Sequence, residues 1–254
     1  PLPGGSGNTA NDPQFVNAGA GNYRLKPTSP CRNTGNNALA VGGTDLDGNA
    51  RTNEATVDMG AYEFVADTNP VHFVALNNPT PSYPFASWPT AATNIQDAID
   101  VAGSGDTVLV SNGVYQTGGR VAGTNLLSNR VLIDKPIKVQ SVNGPAVTII
   151  KGAGPNGVSA IRCAYVASGA SLTGFTLTNG ATLVFSIDAD TQGGGAWSET
   201  GGALSNCVLT GNSAVNSGGG AYQGTLNNCF LTGNSAQFGG GAMIGTLNNC
   251  ALTG

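Results

Sequence analysis

Apolar residues recur at a fixed spacing through the last third of the chain. Leu204, Leu226 and Leu247 hold one repeated position, and a second leucine follows each of them by five residues. Cysteines at positions 207, 229 and 250 repeat with them, so the period is 22 and then 21 residues. A period in this range is typical of a solenoid in which each repeat forms one coil.

The repeated positions differ in how much they vary, and this predicts which side chains face the core. The position after the cysteine is Val208, Phe230 or Ala251, a change of volume that a packed core would resist. We therefore expect this column to face solvent and, because strand side chains alternate, the cysteine and leucine columns to face inward. The inward set is Leu204, Leu226, Leu247, Leu209, Leu231, Leu252, Cys207, Cys229 and Cys250.

The two leucines of each repeat are an odd number of residues apart, so one straight strand cannot bury both. The chain must bend between them, near Asn206, Asn228 and Asn249. Asparagine tolerates the left-handed backbone that such a corner needs. We expect the amides of these three asparagines to stack as a hydrogen-bonded ladder along the coils.

Three glycine triplets predict a second corner. They lie at 193–195, 218–220 and 239–241, and glycine permits positive φ and close backbone approach. Each triplet would destabilise a helix by several times about 1 kcal/mol, which excludes helical repeats. The sequence therefore predicts an all-β fold, a right-handed parallel β-helix whose coils pair along their length.

The rest of the chain divides into three parts. Residues 1–64 combine short strand patterns with turns and predict a small β-rich module. Residues 65–90 carry several prolines and predict a linker. Residues 91–254 hold the coils and begin with a helix predicted over 93–102, with Thr93 as its cap and Gly103 as its stop. This amphipathic helix would cover the open end of the first coil.

The first part resembles a module of bacterial surface proteins. The segments that carry the resemblance are Asp12–Phe15, Tyr23–Cys31, Thr44–Asn49 and Asp58–Glu63. They are similar to the C-terminal module of choice-of-anchor Q type β-helix proteins, which resemble polymorphic outer-membrane-type repeat proteins. The predicted helix, followed by Gly105-Asp106 and Gly113-Val114-Tyr115, resembles the entry of pectin-lyase-like β-helices. The resemblance implies an extracellular or cell-surface β-helix of bacterial origin and specifies no activity.

Charge and hydropathy argue against two classes of partner. The net charge is −4 and the sequence contains no basic run, which argues against nucleic acid. No apolar run approaches the roughly 20 residues of a membrane span. The chain opens without a signal peptide, so we expect any export signal to lie outside this sequence.

Candidates for carbohydrate chemistry are few. Polysaccharide-active β-helices need clustered carboxylates, often beside a basic residue. Asp188 and Asp190 would share one strand face, but a solvated loop is the favoured interpretation because no partner base is evident nearby. The only histidine, His72, is expected at the surface. No catalytic residue is predicted, and the other titratable candidates are Asp134, Lys135, Lys138, Lys151, Arg120, Arg130 and Arg162.

Neither a metal nor a cofactor is predicted. Asp45, Asp47 and Asn49 resemble the start of a calcium loop, but its twelfth position is Thr56 rather than glutamate, so a hairpin turn is favoured. The column of Cys207, Cys229 and Cys250 is predicted to hold buried thiols, because parallel stacked side chains have poor torsion for a disulfide. Cys31 and Cys163 have no assignable partner.

One outward column is apolar. Trp197, Tyr222 and Met243 share the position after the inward alanine of each coil. Such a stripe suggests contact with a partner or a glycan, and burial under a neighbouring loop is the equal alternative.

The expected function is structural. We predict a non-enzymatic repeat unit of a filament, adhesin or giant surface protein, assembling head to tail with the 1–64 module on the coil at 239–254 of the next copy. Two observations suggest this: the module precedes the coils here although it follows them in the resembled family, and the coil at 239–254 is unfinished. Fold-back within one chain and simple truncation are the rivals. A polysaccharide-active or glycan-binding β-helix is the alternative function.

Overall fold

The computed structural model describes residues 8–52, 54–185 and 188–253. The chain divides between Thr68 and Asn69 into two compact units. Over these described residues the architecture is mostly β, with parallel sheets and two short α-helices. Among the described residues, neither α-helix has the length and hydropathy to span a bilayer.

The first unit is a hairpin followed by turns. Its strands are β1 (Phe15–Asn17) and β2 (Asn22–Leu25), which pair antiparallel, and 3-10 turns lie at Ala18–Ala20 and Asn37–Leu39. Its buried apolar side chains include Val16, Leu25, Cys31 and Val57. Few apolar groups are buried among the described residues of this unit, so polar contacts take a large part in holding it.

The second unit contains the coils. Its elements in chain order are β3 (Val71–Val74), a 3-10 turn (Trp88–Thr90), α1 (Ile95–Val101), β4 (Thr107–Val110), β5 (Gly113–Tyr115), β6 (Arg120–Val121), β7 (Ser128–Ile133), β8 (Lys138–Ser141), β9 (Thr148–Lys151), β10 (Ile161–Val166), β11 (Ser171–Thr173), β12 (Thr176–Thr178), α2 (Asp188–Thr191), β13 (Ala196–Ser198), β14 (Ala203–Ser205), β15 (Val208–Thr210), β16 (Ala221–Tyr222), β17 (Thr225–Asn227), β18 (Phe230–Thr232), β19 (Ala242–Met243), β20 (Thr246–Asn248) and β21 (Ala251–Thr253).

These strands form three sheets that the chain visits in turn. The first holds β6, β7, β10, β13, β16 and β19; the second β3, β4, β8, β11, β14, β17 and β20; the third β5, β9, β12, β15, β18 and β21. One coil is therefore β13, β14 and β15, and the next is β16, β17 and β18. The described strands of this unit pair in parallel, except that β6 and β7 pair antiparallel. This arrangement is consistent with the β-solenoid-like class that the repeat predicts.

The inward and outward columns are confirmed in the coils before residue 239. Leu204 pairs in register with Leu226, and Leu209 with Leu231, and all four are buried. Phe230, one residue before Leu231, is 41% exposed. In the following coil the two inward leucines are half-exposed, at 41% for residue 247 and 48% for residue 252.

The asparagine corners are confirmed, but the predicted amide ladder is wrong. Asn206, Asn228 and Asn249 have φ of 52°, 53° and 53°, which gives the bend between the two leucines. Their side chains are exposed, since the left-handed corner turns them outward. The buried asparagine pair is Asn212 and Asn234, where the Asn212 Nδ2 donates to the Asn234 Oδ1 at 3.0 Å.

The glycine triplets provide the close approach that they predict. Gly193 and Gly218 have φ of 64°. A methyl group on Gly194 would lie 2.2 Å from the Ser213 carbonyl oxygen, and one on Gly195 would lie 2.4 Å from the Gly220 carbonyl oxygen. Neighbouring coils therefore meet backbone to backbone at this corner, which leaves no room for a side chain.

Helix α1 covers the core at the start of the coils. Ile95 and Ile99 are buried in the apolar cluster that continues through the coils. The helix is shorter than predicted, and its cap is Asn94 rather than Thr93, since the Asn94 side chain accepts from the Asp97 N–H at 2.9 Å. β3 is the edge strand of the second sheet, and its outer side is hydrogen-bonded to Phe85 and Ala92 rather than to the helix.

The predicted linker at 65–90 differs from the structure. Strand β3 lies inside that range and pairs with β4, so residues from Asn69 onward belong to the second unit. The prolines there lie in turns around β3. In one of these turns the N–H of the buried Phe85 donates to the Ser82 carbonyl oxygen at 2.9 Å.

Candidate functional site

Four side chains form a continuous column on the outer face of the first sheet. Tyr165 pairs with Trp197, Trp197 with Tyr222, and Tyr222 with Met243. The Tyr165 and Trp197 ring centroids are 5.0 Å apart at 19°, and those of Trp197 and Tyr222 are 6.5 Å apart at 18°. The rings cover one another's faces and all three are half-buried, and the indole nitrogen of Trp197 is itself buried.

A groove of 380 Å³ lies beside the first ring of this column. Its walls include Arg120, Leu132, Asp134, Tyr165, Ala167 and Glu199. The register explains why these residues meet. Ile133, Val166 and Ser198 stack in one column, so Asp134, Ala167 and Glu199, each one residue later, stack in the next. The residues that carry the two carboxylates, Asp134 and Glu199, therefore lie two coils apart, which is about 9–10 Å along the stack.

Glu199 is fixed within the groove. Its Oε1 accepts from the Tyr165 hydroxyl at 2.7 Å, and its Oε2 accepts from the Ser168 N–H at 2.9 Å. Burial raises the pKa of Tyr165, and the hydrogen bond to Glu199 raises it further, so the phenol stays protonated as the donor. Glu199 therefore has a set orientation with acceptor capacity remaining on both oxygens.

Asp134 is free by comparison. It is exposed, and it makes no hydrogen bond or ion pair with any residue the structure describes. Arg120, the cation on the same wall, donates to the Asp100 carboxylate instead. Burial raises the pKa of Asp100 even though Gln96 and Arg120 oppose this shift. With Arg120 paired, the groove carries excess negative charge.

Asp188 and Asp190 lie neither on a strand face nor in the solvated loop that was the favoured prediction. These residues lie in α2, a single helical turn. Asp190 is fully buried, and its oxygens accept from the Leu126 N–H at 2.8 Å and the Leu127 N–H at 3.1 Å. It therefore serves to hold a loop and cannot meet a substrate.

The basic candidates are dispersed rather than gathered at one site. Arg162 is fully buried, and burial lowers its pKa to about 9 although Asp190 opposes the shift. Arg130 donates to the Lys151 carbonyl oxygen at 2.8 Å, and Lys135 donates to the Ala102 carbonyl oxygen at 2.7 Å. Lys138 and Lys151 lie on the second and third sheets, in β8 and β9.

The calcium candidates have other roles. The Asp45 carboxylate accepts from the Asp47 N–H at 2.9 Å, from the Asn49 N–H at 2.7 Å and from the Glu63 N–H at 2.8 Å. Burial acts to raise the pKa of Asp45, but these hydrogen bonds outweigh it and lower the pKa. Asp47 pairs with Arg24 at 2.6 Å. Within residues 8–52, 54–185 and 188–253, no cluster of three or more His, Cys, Asp or Glu side chains could hold a metal.

The cysteine column consists of free thiols, and the predicted burial is confirmed for Cys207 and Cys229, whereas Cys250 is half-buried. Each sulfur donates to the carbonyl oxygen two residues earlier, at 3.3 Å for Cys207, 3.4 Å for Cys229 and 3.4 Å for Cys250. Cys31 and Cys163 are also buried free thiols. Burial raises the pKa of Cys163 to about 12, which keeps it unreactive.

His72 is buried rather than exposed, contrary to the prediction. Its Nδ1 lies 2.9 Å from the Pro84 carbonyl oxygen and its Nε2 lies 3.3 Å from an Asp106 oxygen. The ring points into the unit because even-numbered residues of β3 face the core, beside Val74. It fastens the start of the coils and is not part of the groove.

No family model, no curated protein and no solved structure matches the chain. Tyr165 and Glu199 were missed as site residues in the sequence. The available signal was that Glu199 is the only charged residue after Thr191.

Proposed function

We propose that the second unit is a right-handed parallel β-helix and that the chain is a non-enzymatic structural repeat unit of a secreted or cell-surface bacterial protein. Three sheets of mainly parallel strands, visited in turn, support the β-helix. Connections between parallel strands are right-handed in about 98% of cases, which supports the handedness.

The main support for a structural role is the uniformity of the coils. The same side chains stack in register from β14 through β20 and from β15 through β21. Only one charged residue follows Thr191. A rod of uncharged, interchangeable coils suits mechanical extension better than chemistry, which needs a distinct set of titratable groups.

We further propose that copies of the chain join head to tail. The order of parts supports this, because the first unit resembles a module that follows the coils in the resembled family. Such a contact is heterologous and would extend into a filament or adhesin shaft.

Light scattering over a range of concentrations, with electron microscopy, tests this assembly. We expect a mass that rises in multiples of 25.3 kDa, together with rods of constant width. A compact particle of 25.3 kDa at every concentration would refute the joining of copies. Turnover of a polysaccharide, abolished by Asp134→Asn, would refute the non-enzymatic role.

A glycan-binding or polysaccharide-active β-helix is the second candidate. The observation that favours it is the groove beside Tyr165, where two carboxylates and an aromatic ring meet at one opening. Binding is favoured over catalysis because Glu199 is engaged by two donors.

A further inference from the structure

The groove beside Tyr165 has both apolar and polar walls. Leu132 and Ala167, which are 5% and 7% exposed, form its apolar lining together with the half-buried Tyr165 ring. The carboxylates of Asp134 and Glu199 lie on the same walls. A pyranose ring has an apolar face and hydroxyl-bearing edges, so its two kinds of surface match the two kinds of wall.

The carboxylates in this groove can only accept hydrogen bonds. Asp134 has all of its acceptor sites free of the described residues, and each oxygen of Glu199 uses one. A ligand must therefore donate, through hydroxyl or ammonium groups. Hydrogen bonds to an ionised acceptor are shorter and stronger than neutral ones, and strongest when the donor is also charged.

The charge of the groove restricts the ligand further. Because Arg120 is paired with Asp100, it is not available to balance Asp134 and Glu199. A sugar acid would place a third carboxylate against these two and be repelled. A sugar that carries an amine would instead find complementary charge.

We propose that this groove binds a glycan whose sugars carry no carboxylate, with amino sugars preferred. The proposal rests on the glycan-binding alternative and not on the structural role or on the joining of copies. Asp134 is the residue that would meet the ammonium group, and Tyr165 is the positioning residue that holds Glu199.

Calorimetric titration of the full chain with three tetrasaccharides tests the proposal. The probes are tetrameric glucosamine, tetrameric N-acetylglucosamine and tetragalacturonate, with spermidine as an amine that is not a sugar. We expect the glucosamine tetramer to bind most tightly, the acetylated tetramer more weakly, and tetragalacturonate not at all. Trp197 gives a second readout, because its ring stacks on Tyr165 beside the groove.

Two variants locate the binding. Asp134→Asn should lower the affinity for the glucosamine tetramer by about tenfold, because one charge-assisted hydrogen bond is lost. It should lower the affinity for the acetylated tetramer less. Its fold should be unaffected because Asp134 is exposed and unpaired among the described residues. Tyr165→Phe keeps the stacked ring but removes the hydroxyl that holds Glu199, so it should lower the affinity for both tetramers. Asp12→Asn, an exposed acid of the first unit, is the matched control and should change neither.

Several results would overturn the proposal. Tetragalacturonate binding as well as the glucosamine tetramer would show that charge does not select the ligand. Spermidine binding as tightly as the glucosamine tetramer would show an unspecific anionic patch. If neither the amino nor the acetylated tetramer binds, the proposed site is refuted. Equal losses of affinity in Asp134→Asn and Asp12→Asn would also refute it. Light scattering on the same samples is independent of all these results, so the assembly proposal stands or falls separately.

Discussion

Asn212→Ala tests whether the buried asparagine pair holds the coils together. The Asn212 Nδ2 donates to the Leu177 carbonyl oxygen at 2.9 Å and to the Asn234 Oδ1 at 3.0 Å. Its Oδ1 accepts from the Gly180 N–H at 2.8 Å. One side chain therefore links its own coil to the coils before and after it.

The magnitude follows from the groups left behind. Without Asn212 Oδ1, the buried Gly180 N–H loses its acceptor, which costs about 1–3 kcal/mol. The two bonds donated by Nδ2 contribute about 1 kcal/mol each. The alanine variant does not pay the conformational entropy of ordering the asparagine side chain, which offsets about 1 kcal/mol of this loss. We expect a net loss of about 3 kcal/mol, a large part of the roughly 5–15 kcal/mol typical of a folded domain.

The corner asparagines provide the matched control. Asn206 has φ of 52° and an exposed side chain, so Asn206→Gly should change the free energy of unfolding by less than about 0.5 kcal/mol. Asn206→Ala should cost about 1–2 kcal/mol through backbone strain alone.

Urea unfolding followed by tryptophan fluorescence gives the free energies of unfolding. Trp197 lies in the coil between those of Gly180 and Asn234, so it reports on the affected region. If Asn212→Ala costs no more than Asn206→Ala, the buried pair does not stabilise the coils. The columns of leucine would then carry the stack without it.

Three further predictions address the core, the glycine corner and the first unit. Leu231→Asp should cost several kcal/mol more in thermal unfolding than Phe230→Asp, because the first side chain is 1% exposed and the second 41%; equal losses would contradict the column assignment. Gly195→Ala would place a methyl group 2.4 Å from a carbonyl oxygen and should lower the midpoint of unfolding, whereas Gly43→Ala, which meets nothing within 4 Å, should not. The pKa of Asp45 is lowered in the folded chain, so its stabilisation is present above the ordinary carboxyl pKa of about 3.9 and is lost as pH falls through the folded value. Asp45→Asn should therefore destabilise the first unit at neutral pH, with a difference from the parent chain that shrinks in acid; hydrogen exchange of residues 44–64 measures it, and a difference independent of pH would contradict the assignment.

The repeat made the coils predictable from sequence. Identical residues at a spacing of about one coil must meet if the chain stacks, so column membership follows directly from alignment of the chain with itself. Variation within a column then separates Phe230 from Leu231, and the odd spacing of the leucines requires the corner at Asn228. These inferences use only alternation and volume, which are local properties.

Positions outside the repeat were less predictable. His72 and Asp190 are both fully buried, although each was expected in contact with solvent. A single polar residue in a short strand or loop carries no periodic signal, so its burial depends on what packs over it. The same limit applies to Asn212 and Asn206, because both repeat and only the backbone geometry shows which one turns inward.

The sequence by itself determined the repeating strands, their corners and the inward leucine and cysteine columns, because periodic spacing constrains stacked coils. The tertiary structure alone decided the groove. Asp134, Tyr165 and Glu199 come from three different coils and meet only because β7, β10 and β13 pair in one register. A shift of that register by one residue would send alternate side chains to the other face of the sheet and remove the site, and nothing in the spacing of these three residues along the chain fixes it.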